Sequence, residues 1–424
     1  MLPVLAQDYS SGFRRRAAVG ADVIVKVFQE AACTASPCDG GGSNQDFTAS
    51  GMSNVKAGIF FGNPATANGT AVDDISWFVG LTDGTNEAVA AFQEEHGQTT
   101  TDTGTRDASD ETIMILDQTA AVDGEANISS TLSAGYRMAW GDFPASAYLI
   151  NGVLFGGTDV QAAVSVMTHT GLEDAAQQET VGFEVDIIIF ITSDGGAFDD
   201  GAVTQALHAI GIAHNQATDV QRAYFTKRRH GRTGATNAAH FSTSRVGGIV
   251  GNTGAKLGTL ELTAIGATTF DLTKRETASD VSVAYLALKF TGANSDGFTV
   301  TMPNSTGDYD VTDTAWQPQF GFQSFTTMLT LDADRSNDET DGMMLGVFDG
   351  TTQIAAAVTS DDGNSTTDTQ SHVASSTGID YQTTTGVDYA VCTFTSFQST
   401  GWRHNCPTTV PATASFGFAI AVEE

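Results

Sequence analysis

Gly80-Leu81-Thr82-Asp83-Gly84-Thr85 and Gly346-Val347-Phe348-Asp349-Gly350-Thr351 share one pattern, an apolar run closed by Asp-Gly-Thr. From this anchor roughly sixty residues run in register without a gap. Gly97 falls on Gly363, Asp102 on Asp368, Gly135 on Gly401, Tyr136 on Trp402 and Arg137 on Arg403. A third and more divergent copy starts from Gly211-Ile212-Ala213-His214, with a short insertion before His230-Gly231. The chain is therefore read as three copies of a unit about 135 residues long.

Working outward, each copy opens with a short apolar strand: Asp22 to Val27, Asp159 to Val164 and Gly297 to Met302. A second run follows at Ala57 to Phe61, Val185 to Phe190 and Met328 to Leu331. Closing strands are Ala147 to Ile150, Val283 to Leu288 and Phe416 to Val422. These place an N-terminal arm at 1–19 and repeats at 20–156, 157–291 and 292–424.

The runs are rich in Val, Ile, Phe and Thr and are separated by Gly, Asp, Asn and Ser clusters, the signature of strands joined by tight turns. The fold class expected is all-β, as three tandem β-sandwich (jelly-roll-like) repeats. Each unit is long enough to bury a core of its own, so the repeats are expected as beads in series. One helical exception is expected at Val203 to Ile210, where Ala and Leu replace branched residues. The stretch Glu87 to Glu95 has similar composition, but its alignment with Gln353 to Val358 favours a strand.

Formal net charge is −31, with 50 Asp and Glu against 19 Lys and Arg, yet charged residues make up only 16% of the chain. Basic residues are scarce. Such a surface suits a hypersaline setting, where salt screens the repulsion, or an ordinary marine extracellular protein. A nonspecific nucleic-acid binder is disfavoured, because phosphate neutralisation needs the missing cations. No transmembrane run and no export signal are read in the sequence. Cys33 with Cys38 and Cys392 with Cys406 are candidate disulfides, and neither pair has zinc-ligand spacing.

No phosphate loop, nucleophile elbow or His-Glu-x-x-His zinc pattern is found, and no catalytic residue is assigned. His208, His214, His230 and His240 cluster in the middle repeat without a ligand spacing and are read as exposed loop residues. Arg222, Lys227, Arg228, Arg229, His230 and Arg232 form the strongest basic stretch. Two readings stand for it: an interface with an acidic neighbouring subunit or repeat, or a patch for anionic glycans or lipid headgroups. Asp332, Asp334 and Asp338 space oxygen donors as a hard cation requires but lack the rest of an EF-hand loop. They are weak candidates for a structural Ca2+ or Mg2+, against plain solvated acids; no other cofactor is expected.

Tyr148-Leu149-Ile150 through Gly156-Gly157-Thr158-Asp159-Val160, then Thr180 to Phe190, and Val283-Ala284-Tyr285-Leu286-Ala287-Leu288 resemble a repeat in structural proteins of tailed bacteriophages and tailed archaeal viruses. The third copy departs from that form at Phe416-Gly417-Phe418-Ala419-Ile420. The resemblance implies a β-rich virion component that is not an enzyme: a capsid turret or decoration, or a tail or baseplate fibre, touching the host surface. The alternative is a purely structural tail or capsid protein; a polysaccharide-cleaving enzyme would need a paired-carboxylate groove. Expected partners are other virion proteins, a trimeric or pentameric homo-oligomer, and a host surface glycan or protein, with neither nucleic acid nor membrane insertion. Arg14, Arg15 and Arg16 in the arm are the candidate docking element.

Overall fold

The computed structural model describes residues 21–423 except 194–197, 200, 216–219, 235, 277–278, 339, 362–365, 384–387 and 408–414. Arg14, Arg15 and Arg16 lie outside the described residues. The regular elements are all strands, including Gln205–His214 where a helix was expected. That strand is hydrogen-bonded on both sides, to Ile187–Thr192 and to Val220–Arg229, and both its faces are buried. Pairing and burial override the weak helical preference of its Ala and Leu.

Strands group into three pairs of antiparallel sheets. In the first sandwich Ile24–Ala31, Leu149–Gly156, Val55–Gly62, Ile75–Thr82, Glu87–Glu94 and Thr103–Ala108 make a large sheet. Asn44–Thr48, Gly135–Asp142, Val122–Leu132 and Ile113–Leu116 make the small sheet. The second repeats this order with Val160–His169, Val281–Phe290, Ile187–Thr192, Gln205–His214, Val220–Arg229 and Asn237–Ser242 over Ala176–Thr180, Thr269–Arg275, Lys256–Ile265 and Gly247–Val250. The third uses Ser295–Thr301, Phe416–Val422, Phe320–Thr326, Thr340–Phe348, Gln353–Asp361 and Asp368–Ala374 over Gly307–Val311, Gly401–Cys406, Asp388–Gln398 and Ile379–Gln382. The expected third-copy strand at Met328 to Leu331 is a misplacement. The strand is Phe320–Thr326, whose Gly, Gln and Ser had masked its apolar character, while Met328 only caps the core and Leu329 is exposed.

Three details recur at matching places. A Cβ on Gly80, Gly211 or Gly346 would lie about 2 Å from a backbone carbonyl, that of Thr112, Val246 and Gly378 respectively, so only glycine lets the small sheet approach. Glu87, Gln221 and Gln353 each use a side-chain oxygen to accept a backbone N–H of the small sheet, from Ile128, Leu262 and Phe394. Just beyond lies a β-bulge whose Ser129, Thr263 or Thr395 hydroxyl donates to the carbonyl of Arg137, Asp271 or Arg403.

One face of each large sheet packs on its own small sheet, as Phe28, Phe60 and Phe78 do on Phe47, Ile113 and Met138. The other faces of the three large sheets pack on one another. Ile59, Trp77 and Val79 of the first, Ile189, Ile210 and Leu286 of the second, and Phe322, Leu345 and Ile420 of the third belong to one continuous buried cluster. This corrects the expectation of beads in series: each large sheet is apolar on both faces, and the second face is buried only by closing three sandwiches around a shared axis.

Strand exchange closes the ring. Val72–Asp73 of the first sandwich pairs with Asp368–Ala374 of the third, and Asp334–Asp338 of the third pairs with Asn237–Ser242 of the second. Val203 of the second bridges Thr105 of the first. Each donor leaves the same loop of its own sandwich and covers the same edge of the next. Cys33–Cys38 and Cys392–Cys406 are both disulfides; the second is buried where the first sandwich places Ala126 and Trp140.

Overpacking sets the expected cost of filling the shared glycine position. Gly80→Ala, Gly211→Ala and Gly346→Ala should each lose about 1–3 kcal/mol in urea unfolding. Gly141→Ala, whose Cβ would sit 3.5 Å from Glu125 Oε1, should change little. Equal midpoints for all four variants would contradict the repeat equivalence.

Candidate functional site

The three large sheets face the axis in matching layers, because the equivalent hairpins share one register. Leu81 and Ala88 stand at the level of Ile212 and Arg222, and of Val347 and Ile354. Next come Val79 and Ala90, Ile210 and Tyr224, Leu345 and Ala356; then Trp77 and Phe92, His208 and Thr226, Met343 and Val358. The last layer holds Ile75 and Glu94, Ala206 and Arg228, Asp341 and Ser360. Charge thus enters the hydrophobic axis at both ends: Arg222 stands in the first layer, and the last holds a cation from the second sandwich with carboxylates from the first and third.

Arg228 is 1% exposed. Its Nε lies 3.3 Å from Glu94 Oε2 and its Nη2 3.6 Å from Asp341 Oδ2, and its guanidinium stands 4.9 Å over the Phe92 ring. Asp341 also accepts the hydroxyls of Tyr224 and Thr226. Burial, then the Asp341 charge, pushes the Tyr224 phenol well above its usual range, so it remains a donor. His208 is buried beside them with its ring 5.3 Å from Phe92; burial first, then Arg228, pushes its pKa down to about 3. Physically, the layer is a desolvated cation held by one carboxylate from each neighbour.

Elsewhere in the basic stretch Arg222 meets a seam with its side chain, and Arg229 and Arg232 with their backbone carbonyls. Arg222 reaches Thr299 of the third sandwich with Nε and the Thr243 carbonyl with Nη1, at 3.0 Å for the latter. Lys227 is buried, and burial, reinforced by Arg229, holds its ammonium below the usual range. The Arg229 carbonyl accepts the hydroxyl of Thr101 in the first sandwich, and the Arg232 carbonyl accepts its N–H at 2.9 Å. His208, His214 and His240 are buried in strands, correcting their reading as exposed loop residues; His230 alone sits at a turn, 3.4 Å from Asp102. His208 and His214 stand six residues apart on one strand and His240 on another, so no local spacing links them.

A second seam motif uses the Asp-Gly-Thr turns of the sequence anchor. Asp83 Oδ2 accepts the Val164 N–H of the second sandwich at 2.9 Å, and Asp349 Oδ2 the Val27 N–H of the first at 3.0 Å. His214, at the matching place, faces Ser295 and Asp296 of the third.

Among the cation candidates, Asp332 accepts the N–H and hydroxyl of Thr243, and Asp334 pairs with His240 at 2.9 Å. Both therefore serve the seam between the third and second sandwiches. The Asp338 side chain lies outside the described part. Among the described residues no group of three or more His, Cys, Asp and Glu is placed to hold a metal ion.

Two acidic places were not singled out in the sequence. Glu111 is pushed up to about 8 by burial and by Glu125, Asp110 and Glu87. Glu87 beside it is the strut for which the other repeats use glutamine, so its charge is dispensable to the fold. A recess of about 320 Å³ in the first sandwich is lined by Asp74, Asp117, Asp123 and Tyr148 among others. Asp74 there accepts from His96 N–H and Gln118, and Asp117 from the N–H groups of Thr119 and Ala121, which is turn-holding geometry.

No family model and no curated protein matches the chain. A solved structure of β-fructofuranosidase from Schwanniomyces occidentalis, complexed with fructosyl-erythritol, aligns over 89% of this chain and 97% of that one, at 7% identity and a TM-score of 0.13. That likeness carries no argument.

Arg228→Met leaves two buried carboxylates facing each other and should cost about 3–5 kcal/mol in urea unfolding. Adding Glu94→Gln and Asp341→Asn to it should recover most of the loss. Titration adds a second expectation. His208 and His404 are lowered to about 3 and His214 to about 4, mainly by burial, so the unfolded chain takes up protons that the fold refuses. Stability should be unaffected by these groups above about pH 6.5 and fall progressively toward pH 3–4. Glu111 acts oppositely: its raised pKa makes its contribution fall between about pH 4.5 and 8, so Glu111→Gln should raise the melting temperature at pH 9 and leave it unchanged at pH 4.

Proposed function

We propose that the chain is a structural protein of a virus particle, a capsid turret or decoration or a tail or baseplate fibre, that displays its sandwiches outward and contacts the host surface. The observation that carries this reading is the ring closed by mutual strand exchange. Buried Arg228, Glu94 and Asp341 and the Asp83 and Asp349 turns are spent on joining sandwiches, which suits a rigid display element. The start of the first described strand, the end of the last and both linkers lie at one end of the axis, as the pairings Ile24 with Gly156, Val160 with Phe290 and Ser295 with Val422 require. The opposite end, with the exchanged strands, is then free to face outward. The resemblance to repeats of tailed-virus proteins supports the same reading. Host contact and pure structure are separated by one experiment: particles are located with antibody by electron microscopy, and the purified chain is tested for binding to host cells. Label on particles with binding to cells supports attachment; label without binding leaves a structural protein; no label on particles overturns the proposal.

An excess of carboxylates on such a ring makes its stability salt-dependent. Repulsion at clusters such as Glu87, Asp110, Glu111 and Glu125 is screened only over a Debye length of about 8–10 Å near physiological salt. Dialysis into low salt with a chelator should lower the melting temperature, and molar monovalent salt should restore it. Identical melting in both would remove the hypersaline reading.

A further inference from the structure

We propose that the hairpin tip formed by Arg229, His230, Gly231 and Arg232, at the end of the axis away from the linkers, binds a linear anionic polysaccharide through its two arginine side chains. The inference rests on the virion reading above and names the chemistry of its host-surface contact.

Three equivalent hairpins meet at that end, and their turns interlock. Thr101 of the first sandwich donates its N–H to the Arg232 carbonyl at 2.9 Å, and its carbonyl accepts the Gly231 N–H at 2.7 Å. Thr367 of the third treats the first tip alike, donating to the Gln98 carbonyl and accepting the Gly97 N–H, both at 2.8 Å. His230 Nδ1 accepts the Thr103 N–H at 3.3 Å as His96 Nδ1 accepts that of Thr369 at 3.2 Å. The interlock thus uses backbone, threonine and histidine. Where the second tip has Arg229 and Arg232, the first has Glu95 and Gln98 and the third reads Asp361 and Asn364. Arginine is therefore not what the fold requires at either place.

These two arginines are also set apart by their surroundings. Among the described residues every other arginine holds a carboxylate, as Arg137 and Arg403 do, or a backbone carbonyl, as Arg106 and Arg222 do. The guanidinium groups of Arg229 and Arg232 have no partner among the described residues, and Asp102 close by faces His230 instead. Arg232 is exposed and Arg229 half-buried, with exposed Thr233 on the same tip and Thr99 and Thr100 leading into the bonded Thr101. Lys227, two residues back on the same strand face, feels the Arg229 charge. Guanidinium forks among hydroxyls suit carboxylate or sulfate groups carried on a sugar chain.

The occupant is narrow. Half-buried Glu95 and Asp102 on the first tip and Asp361 and Asp368 on the third border the same end of a chain of net charge −31. A bilayer, or the acidic face of a second copy, would press its anions against those carboxylates too, whereas one polysaccharide strand can lie over the second tip alone. Many copies on one particle would then multiply a weak contact.

The full chain is titrated with polygalacturonate, dextran sulfate, neutral dextran and phosphatidylglycerol vesicles. Binding to at least one of the two charged polysaccharides is expected, weakening from low to molar salt, with none to neutral dextran. The tighter of the two identifies carboxylate or sulfate as the anion. Arg229→Glu with Arg232→Gln gives the second tip the residues of the first, so melting should stay the same while affinity falls by about tenfold or more. Lys56→Glu with Lys289→Gln, which removes the same charge at the linker end, should leave affinity unchanged. No binding to either polyanion, unchanged affinity of the arginine variant, an equal loss in the lysine variant, equal binding of neutral dextran, or tighter binding to the vesicles overturns the inference and leaves the virion reading standing. Absence of the chain from particles, with the titrations as expected, overturns the virion reading and not the site.

Discussion

Closing three related sheets around one axis brings equivalent positions face to face, and the rest of the structure depends on how that encounter is resolved. In a ring of identical units, a charge at the Glu94 level would meet two copies of itself in a dry core. Here the three positions hold Glu94, Arg228 and Ser360, and Asp341 adds a second carboxylate from the third sandwich. Three units that differ in sequence can place one cation between two different neighbours, as a homotrimer of identical units cannot. The cost of burying these charges is offset by their mutual attraction and by the hydroxyls of Tyr224 and Thr226.

Sheet edges pose the second problem. A long edge strand invites pairing with another molecule. The ring answers with its own material: the loop leaving the third strand of each repeat lies along the last strand of a neighbour, while that neighbour's Asp or His turn reaches back to the opposite edge. Each seam is therefore doubly reciprocal, and opening one requires breaking backbone pairing, turn contacts and apolar packing together. Cooperative behaviour of the three sandwiches follows from this linkage, because none can unfold without exposing the shared core.

How much of this could be read from the sequence depended on the range of the interaction. The β class and the recurrence of Gly80, Gly211 and Gly346 were legible, since turn glycines and alternating apolar residues report local geometry. Gln205–His214 was misread because Ala206, Ala209 and Ala213 are small for packing reasons that only the finished sheet reveals. The ring was illegible: Trp77, His208 and Met343 share an axial layer, yet nothing in their identities says so. The basic stretch was visible as an anomaly and one of its two readings named a neighbouring repeat, but its acidic counterparts Glu94 and Asp341 could not be picked from fifty carboxylates without coordinates.

The same geometry bears on the expected homo-oligomer. Trimeric β-proteins gain rigidity by burying one face of each subunit against two others, and here that burial is completed within the chain. Fusion removes the concentration dependence of assembly and permits each sandwich to diverge, as the disulfide of the third and the histidines of the second illustrate.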